Sequence, residues 1–165
     1  MEERTSLYLA QLSTADRKLL QLSVHMNPII VANADGNYSL RESAAIAEVV
    51  RKLMSESEFR PLILVAGHAE ISDAALRVML ETHTKDIDAY LAQVSNLLEQ
   101  LPDEVAHAYR RFTLFAIIHV AEASRDGLFG LMGDKISQSE KSVMRRMVDM
   151  LGLDPNEEEQ AKLGM

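Results

Sequence analysis

Apolar residues recur at helical spacing along nearly the whole chain, and this periodicity predicts an all-α protein. The first run opens at Ser13-Thr14-Ala15-Asp16, which has the form of a capping box, and continues with Leu19, Leu20 and Leu22 on its apolar side. Asn27-Pro28 interrupts it. Proline removes a backbone donor and restricts the residue before it, so either the helix kinks there or a new helix starts with Pro28 in its first turn. A second helix follows Ser39 and ends in the polar stretch Ser55-Glu56-Ser57-Glu58. The β-branched content of Pro61 to Gly67 would suit a strand, but no partner strand exists elsewhere, so this piece reads as a short buried helix. Ser72 is placed to cap a helix through Leu80. A longer helix from about Lys85 to Leu101 carries Ile87, Tyr90, Leu91, Val94, Leu97 and Leu98 on one stripe. After Pro102, Asp103-Glu104 put carboxylates in the first turn of a helix that holds Phe112, Phe115 and Ile118 and runs toward Asp126. A terminal helix follows Asp154-Pro155 and begins with Glu157, Glu158 and Glu159. No linker or composition break divides residues 1–165. The expectation is a single helical domain of about seven to eight helices.

Two stretches share a finer pattern. Asp35-Gly36 leads to Ser39-Leu40-Arg41-Glu42, and Asp126-Gly127 leads, after a longer loop, to Ser137-Gln138-Ser139-Glu140. Beyond each glutamate the apolar positions agree in register, with Ala45, Ile46, Val49, Val50 and Leu53 answering to Val143, Met144, Met147, Val148 and Leu151. The pattern predicts two related halves, about residues 14–55 and 103–153, each a helix, an acidic turn and a helix.

Composition changes this picture only at its edges. A chain of 165 residues with 47% hydrophobic content can bury a core without staples, and the absence of cysteine excludes disulfides and thiolate metal sites. The acidic opening Met1-Glu2-Glu3 carries no visible targeting signal, and the expected location is the cytoplasm. The richest apolar stretches, Pro61 to Gly67 and Leu114 to Ala121, fall short of the ~18 residues that suggest a membrane span. A net charge of −8 argues against nucleic acid, whose binders need clustered Lys and Arg, and favours cations or basic partners. Nine methionines suit adaptable core packing. Lys141, Arg145 and Arg146 read as a solvated helix face.

The acidic turns carry the candidate chemistry. Asp35 and Asp126 sit at helix C-termini, where unpaired carbonyls disfavour another anion by roughly 0.3–1 kcal/mol. A bound cation offsets that cost, and Ca²⁺ or Mg²⁺ prefers oxygen ligands of this kind; Zn²⁺ and Mn²⁺ are the other candidates. The candidate ligands are Asp35, Glu42, Asp126 and Glu140, supported by Glu122, one turn before Asp126, and by Asp134 in the second loop. Each has an ordinary structural reading as well. Asp-Gly commonly ends a helix, and Glu42 and Glu140 lie three residues after Ser39 and Ser137, as capping-box glutamates do. His119, on the apolar stretch beside Ile117 and Ile118, reads as a buried structural histidine, and His25, His68, His83 and His107 lack ligand spacing. The apolar loop of Leu128, Phe129 and Leu131 packs on the domain, covers the site, or meets a partner or membrane surface. No Ser-His-acid or Gly-rich phosphate motif appears.

Taken together, Ala32-Asn33-Ala34-Asp35-Gly36 with Ser39-x-x-Glu42, Asp126-Gly127-Leu128-Phe129-Gly130 with Lys135-Ile136-Ser137-x-x-Glu140, and Leu151-Gly152-Leu153 resemble the TerB-like, tellurite-resistance group. The resemblance covers about Leu19 to Leu153. It implies an all-helical fold of two related halves whose acidic turns form a metal-binding surface, and it implies no enzymatic reaction. Pro28 and Val31 stand where the second copy has His119 and Glu122, so any such site is asymmetric. The expected function is a stress-linked cation-binding or interaction module with a protein partner. Two other readings stay open: a metal-dependent enzyme using His119 with the acids, and a metal-free adaptor that docks a basic partner.

Overall fold

The computed structural model describes residues 12–36, 40–66, 73–123 and 136–165. Among them it contains eight α-helices and one 3₁₀ turn, with no strand. Ser13 starts the first helix as its sequence foretells: the side chain accepts the Asp16 N–H at 3.0 Å, and α1 (Thr14–Ala32) follows. The ambiguity at Asn27-Pro28 resolves in favour of continuity, because α1 runs through Pro28 as one helix. An interior proline costs on the order of 3 kcal/mol. The neighbouring side chains supply the compensation, since Leu20, Val24, Met26, Ile30 and Val31 are all buried.

The chain then forms α2 (Leu40–Ser55), the 3₁₀ turn Ser57–Phe59, and α3 (Arg60–Ala66). The helical reading of Pro61 to Gly67 holds for Arg60–Ala66, but its full burial does not: Leu62 is buried, whereas Leu64 is 48% exposed. A helix of about two turns can press only one side against the core. Next come α4 (Asp73–His83) and α5 (Ile87–Leu98); Ser72, expected to cap α4, lies outside the described residues. The α5 helix is shorter than expected at both ends: Asp86 takes the N-cap, its Oδ1 accepting the Ala89 N–H at 2.9 Å, and Glu99 takes the C-cap. The remaining helices are α6 (Asp103–Ala123), α7 (Gln138–Leu151) and α8 (Glu157–Leu163).

The helices α1 and α6 form a central pair, and every other helix packs on one or both of them. A buried polar bridge fixes their relation. Asn27 of α1 donates from Nδ2 to Tyr109 Oη of α6 at 2.9 Å, and its Oδ1 accepts from Tyr90 Oη of α5 at 2.9 Å. Burial pushes the Tyr109 phenol up to about 12, with hydrogen bonds to Ser23 and Asn27 offsetting part of the effect; burial also raises Tyr90. Both phenols therefore remain neutral throughout the physiological range, Tyr90 as donor to Asn27 and Tyr109 as acceptor from it.

Around this centre, Phe59 meets Phe112 edge-on at 5.4 Å, and Arg110 Nε caps the end of α7 by donating to the Leu151 carbonyl at 2.9 Å. Lys141 departs from its expected place on a solvated face: it is only 7% exposed. Gly164 explains why. At φ +70° it takes the left-handed region, and a Cβ there would stand 3.3 Å from Lys141 Cδ, so the lysine stem lies packed beneath the C-terminal turn. Arg145 is drawn in likewise, donating to the carbonyls of Lys141 and Gly164. Of the three, Arg146 alone keeps an exposed position, 3.4 Å from Asp88. No described helix is long and apolar enough to cross a membrane.

Asn27→Ala removes the acceptor of the Tyr90 hydroxyl, worth about 1–3 kcal/mol when left unsatisfied, whereas Tyr109 keeps its bond to Ser23. Urea unfolding should show a loss of about 1–3 kcal/mol, and adding Tyr90→Phe to an Asn27→Leu background should return part of it. His25 on α1 is held below its ordinary 6.5 by burial. The unfolded chain therefore takes its proton first, so this contribution to stability is complete above about pH 6.5 and declines as pH falls toward the folded-state value. The urea midpoint should drop between pH 7.5 and 5.5, and His25→Gln should narrow that drop.

Candidate functional site

Helix ends place the candidate acids. At the exit of α1 the chain turns through Asn33, whose N–H bonds the Ile29 carbonyl, and Ala34, whose N–H bonds that of Val31, each at 3.0 Å. Gly36 completes the turn at φ +80°, which explains why glycine follows Asp35; Asp35 itself is exposed to solvent. Glu42 stands in the first turn of α2 and is 1% exposed, and Glu140 stands in the first turn of α7 and is 0% exposed. The helices that carry them each pack against both α1 and α6. Asp126 and Asp134 lie outside the described residues, as do Ser39 and the apolar loop with Leu128, Phe129 and Leu131.

Glu140 is a capping residue, as its spacing predicts. Ser137 Oγ accepts the Glu140 N–H at 3.2 Å, and Glu140 Oε2 accepts the Ser137 N–H at 2.7 Å. Capping uses one carboxylate oxygen only. The other, Oε1, is buried with no hydrogen-bond partner among the described residues. A capping glutamate normally turns its free oxygen to water, so full burial of this one is the departure that capping does not explain.

A groove of about 670 Å³ opens where α2 begins and α6 ends, lined by Arg41, Ala44, Ala45, Glu48, His119, Glu122 and Ala123. His119 corrects the reading of it as a core histidine. Its side chain is 35% exposed, its Nε2 lies 3.0 Å from Glu48 Oε2, and its ring stacks on Phe115 at 5.4 Å. The ammonium of Lys52 sits 4.6 Å from the centre of the Phe115 ring. Glu48 and Lys52 on α2 thus interleave with Phe115 and His119 on α6, two pairs spaced four residues apart. That spacing was the available signal for this contact, though nothing in a single sequence matches one helix pair to the other.

Glu122 lines the same groove and is engaged by α8. Lys162 Nζ lies 3.2 Å from Glu122 Oε1 and 3.1 Å from Glu158 Oε1. Hydrogen bonds to Glu158 and then Glu122 raise the Lys162 pKa above its ordinary 10.5, so it carries full charge. The described residues contain no ready-made cluster of three or more His, Asp or Glu ligands.

Neither a curated protein nor a solved structure matches this chain. A comparison with protein families matches residues 21–163, from within α1 to the end of α8, and agrees with the all-helical architecture described above. The chain belongs to the TerB family, tellurite resistance protein TerB.

Proposed function

We propose that this TerB-family chain is a non-enzymatic, stress-linked module that binds a divalent cation at its acidic turns and presents the loaded surface to a protein partner. The observation that carries the reading is Oε1 of Glu140, a carboxylate oxygen with no access to water and no proton donor among the described residues. Such an atom costs several kcal/mol unless a donor or a cation meets it. Ca²⁺ or Mg²⁺ suits an all-oxygen set better than Zn²⁺ does, and Mn²⁺ accepts the same ligands. Glu140 and Glu42 are the inner ligands in this reading. Asp35, Asp126 and Asp134 contribute from the turns, and Glu122 contributes from the groove wall.

The residues present fit a hard cation for a second reason: Asp35 follows the carbonyl end of α1, where a positive charge is favoured. When bound, the ion supplies charge neutralisation and cross-links the turns. The protein supplies two helix N-termini that hold the glutamates in place before the ion arrives. An enzymatic reading has less support, because His119 gives its Nε2 to Glu48 and borders an open groove rather than a closed pocket.

Calorimetric titration of metal-stripped protein with Ca²⁺, Mg²⁺, Mn²⁺ and Zn²⁺ tests the reading. Binding is expected for at least one hard ion, with at least about a tenfold loss in Glu140→Gln, which keeps the capping geometry while removing the charge. An absence of heat with all four ions ends the proposal, and so does unchanged affinity in Glu140→Gln. Saturating ion at 100 times its Kd should also raise stability by about 2.7 kcal/mol.

A further inference from the structure

We propose that the groove between α2 and α6 binds a linear zwitterion, an ω-amino carboxylate that lies along α2 with its carboxylate on Arg41 and its ammonium on Glu48. The proposal goes beyond the cation reading and does not depend on it. Arg41, Ala44, Ala45 and Glu48 all line the groove and stand at positions i, i+3, i+4 and i+7 of α2, so they share one face of that helix. Seven residues of helix rise about 10 Å, which sets the spacing of the positive and negative positions along the groove. Between them the lining offers methyl groups, from Ala44 and Ala45 on α2 and from Ala123 on α6. A run of methylene groups suits that stretch, and about six carbons bring the charged ends of the ligand within reach of both side chains.

Both charged positions have binding capacity left. Arg41 is exposed and has no ion-pair or hydrogen-bond partner among the described residues. His119 engages only Oε2 of Glu48, at 3.0 Å, which leaves Oε1 to accept from an ammonium group. Glu122, the other acid of the groove, is already offset by Lys162 at 3.2 Å, and this distinction seats the ammonium on Glu48. The helix itself sets the same orientation, because the N-terminal end of α2, where Arg41 stands, favours the anionic end of a ligand. A ligand of zero net charge also escapes the repulsion that a chain of net charge −8 exerts on a simple anion. The groove volume of about 670 Å³ lies in the range of small-molecule sites, and its open form corresponds to a Kd of about a millimolar.

The test is titration of the metal-stripped full chain, followed by amide NMR shifts. The probe 6-aminohexanoate should shift the amides of Ala44, Ala45 and Ala123. Hexanoate and hexylamine, which keep one charged end each, should bind at least about fivefold more weakly. Arg41→Met should weaken 6-aminohexanoate at least about fivefold and leave hexylamine unchanged. Glu48→Gln, which retains a hydrogen-bonding partner for His119, should weaken 6-aminohexanoate likewise and leave hexanoate unchanged. Arg51→Met removes the same charge from an exposed position of α2 outside the groove and should change affinity by less than about twofold. The proposal is overturned by an absence of shifts up to about 20 mM probe, by shifts confined to other residues, by equal binding of a one-ended probe, or by unchanged affinity in Arg41→Met. Equal losses in Arg41→Met and Arg51→Met assign the effect to net charge and overturn it as well. The NMR spectra of the variants check that the fold is kept, and Arg41→Gln replaces the methionine variant if it is not. Heat with a divalent ion but no shift with 6-aminohexanoate overturns this proposal and leaves the cation site standing.

Discussion

The side chain of Asn27 sits at the junction on which the rest of the structure depends. It lies one residue before a proline in the middle of a helix, the place where backbone hydrogen bonding is weakest, and it satisfies one tyrosine from each of two other helices. A polar bridge in an apolar core is demanding: any slip of α1 against α6 or α5 strands a donor or an acceptor. Apolar packing holds these three helices together, and the bridge selects one axial register from the many that apolar packing alone tolerates. Because α2, α3, α4, α7 and α8 lean on α1, on α6 or on both, that register propagates to the helix ends that carry the acids.

Much of the fold was legible because helical periodicity and cap chemistry are local. Ser13, Ser137 and the glutamates of α8 mark helix starts by residues within four positions of each other, and the α5 stripe was read without reference to any other helix. What was not legible depends on partners remote in sequence. Pro28 stays within α1 because of what surrounds it, and Lys141 is buried because Gly164 closes over it. His119 leaves the core because α6 turns that face toward α2, so an apolar sequence neighbourhood gave the wrong burial. For the candidate site, spacing found Glu140 as a capping residue but had no way to reveal that it and Glu42 are both enclosed.

The chemistry of the site turns on a conflict between two roles. A capping glutamate works best at the surface, where its second oxygen is hydrated at no cost, and a cation ligand works best when its oxygens are held away from competing water. Glu140 has the bonds of the first role and the environment of the second. In the proposed site, a ligand built from a cap would have a physical merit: the backbone already fixes the carboxylate, so little side-chain entropy would be lost on binding an ion. The Glu48–His119 and Lys52–Phe115 contacts join α2 to α6.

The attachment of α8 has a consequence for how the molecule opens. Helices at the centre exchange their amide protons only when most of the fold comes apart, whereas an element that touches few neighbours can detach in a partial, lower-energy excursion. The α8 helix has only seven residues and rests on α6 and α7, outside the Asn27 bridge. It is therefore the natural foldon to leave first, and when it leaves, Glu122 loses its Lys162 partner while the core remains intact. Hydrogen exchange across residues 157–163 thus reports on the pairing of Glu122 as well as on the stability of a terminal helix.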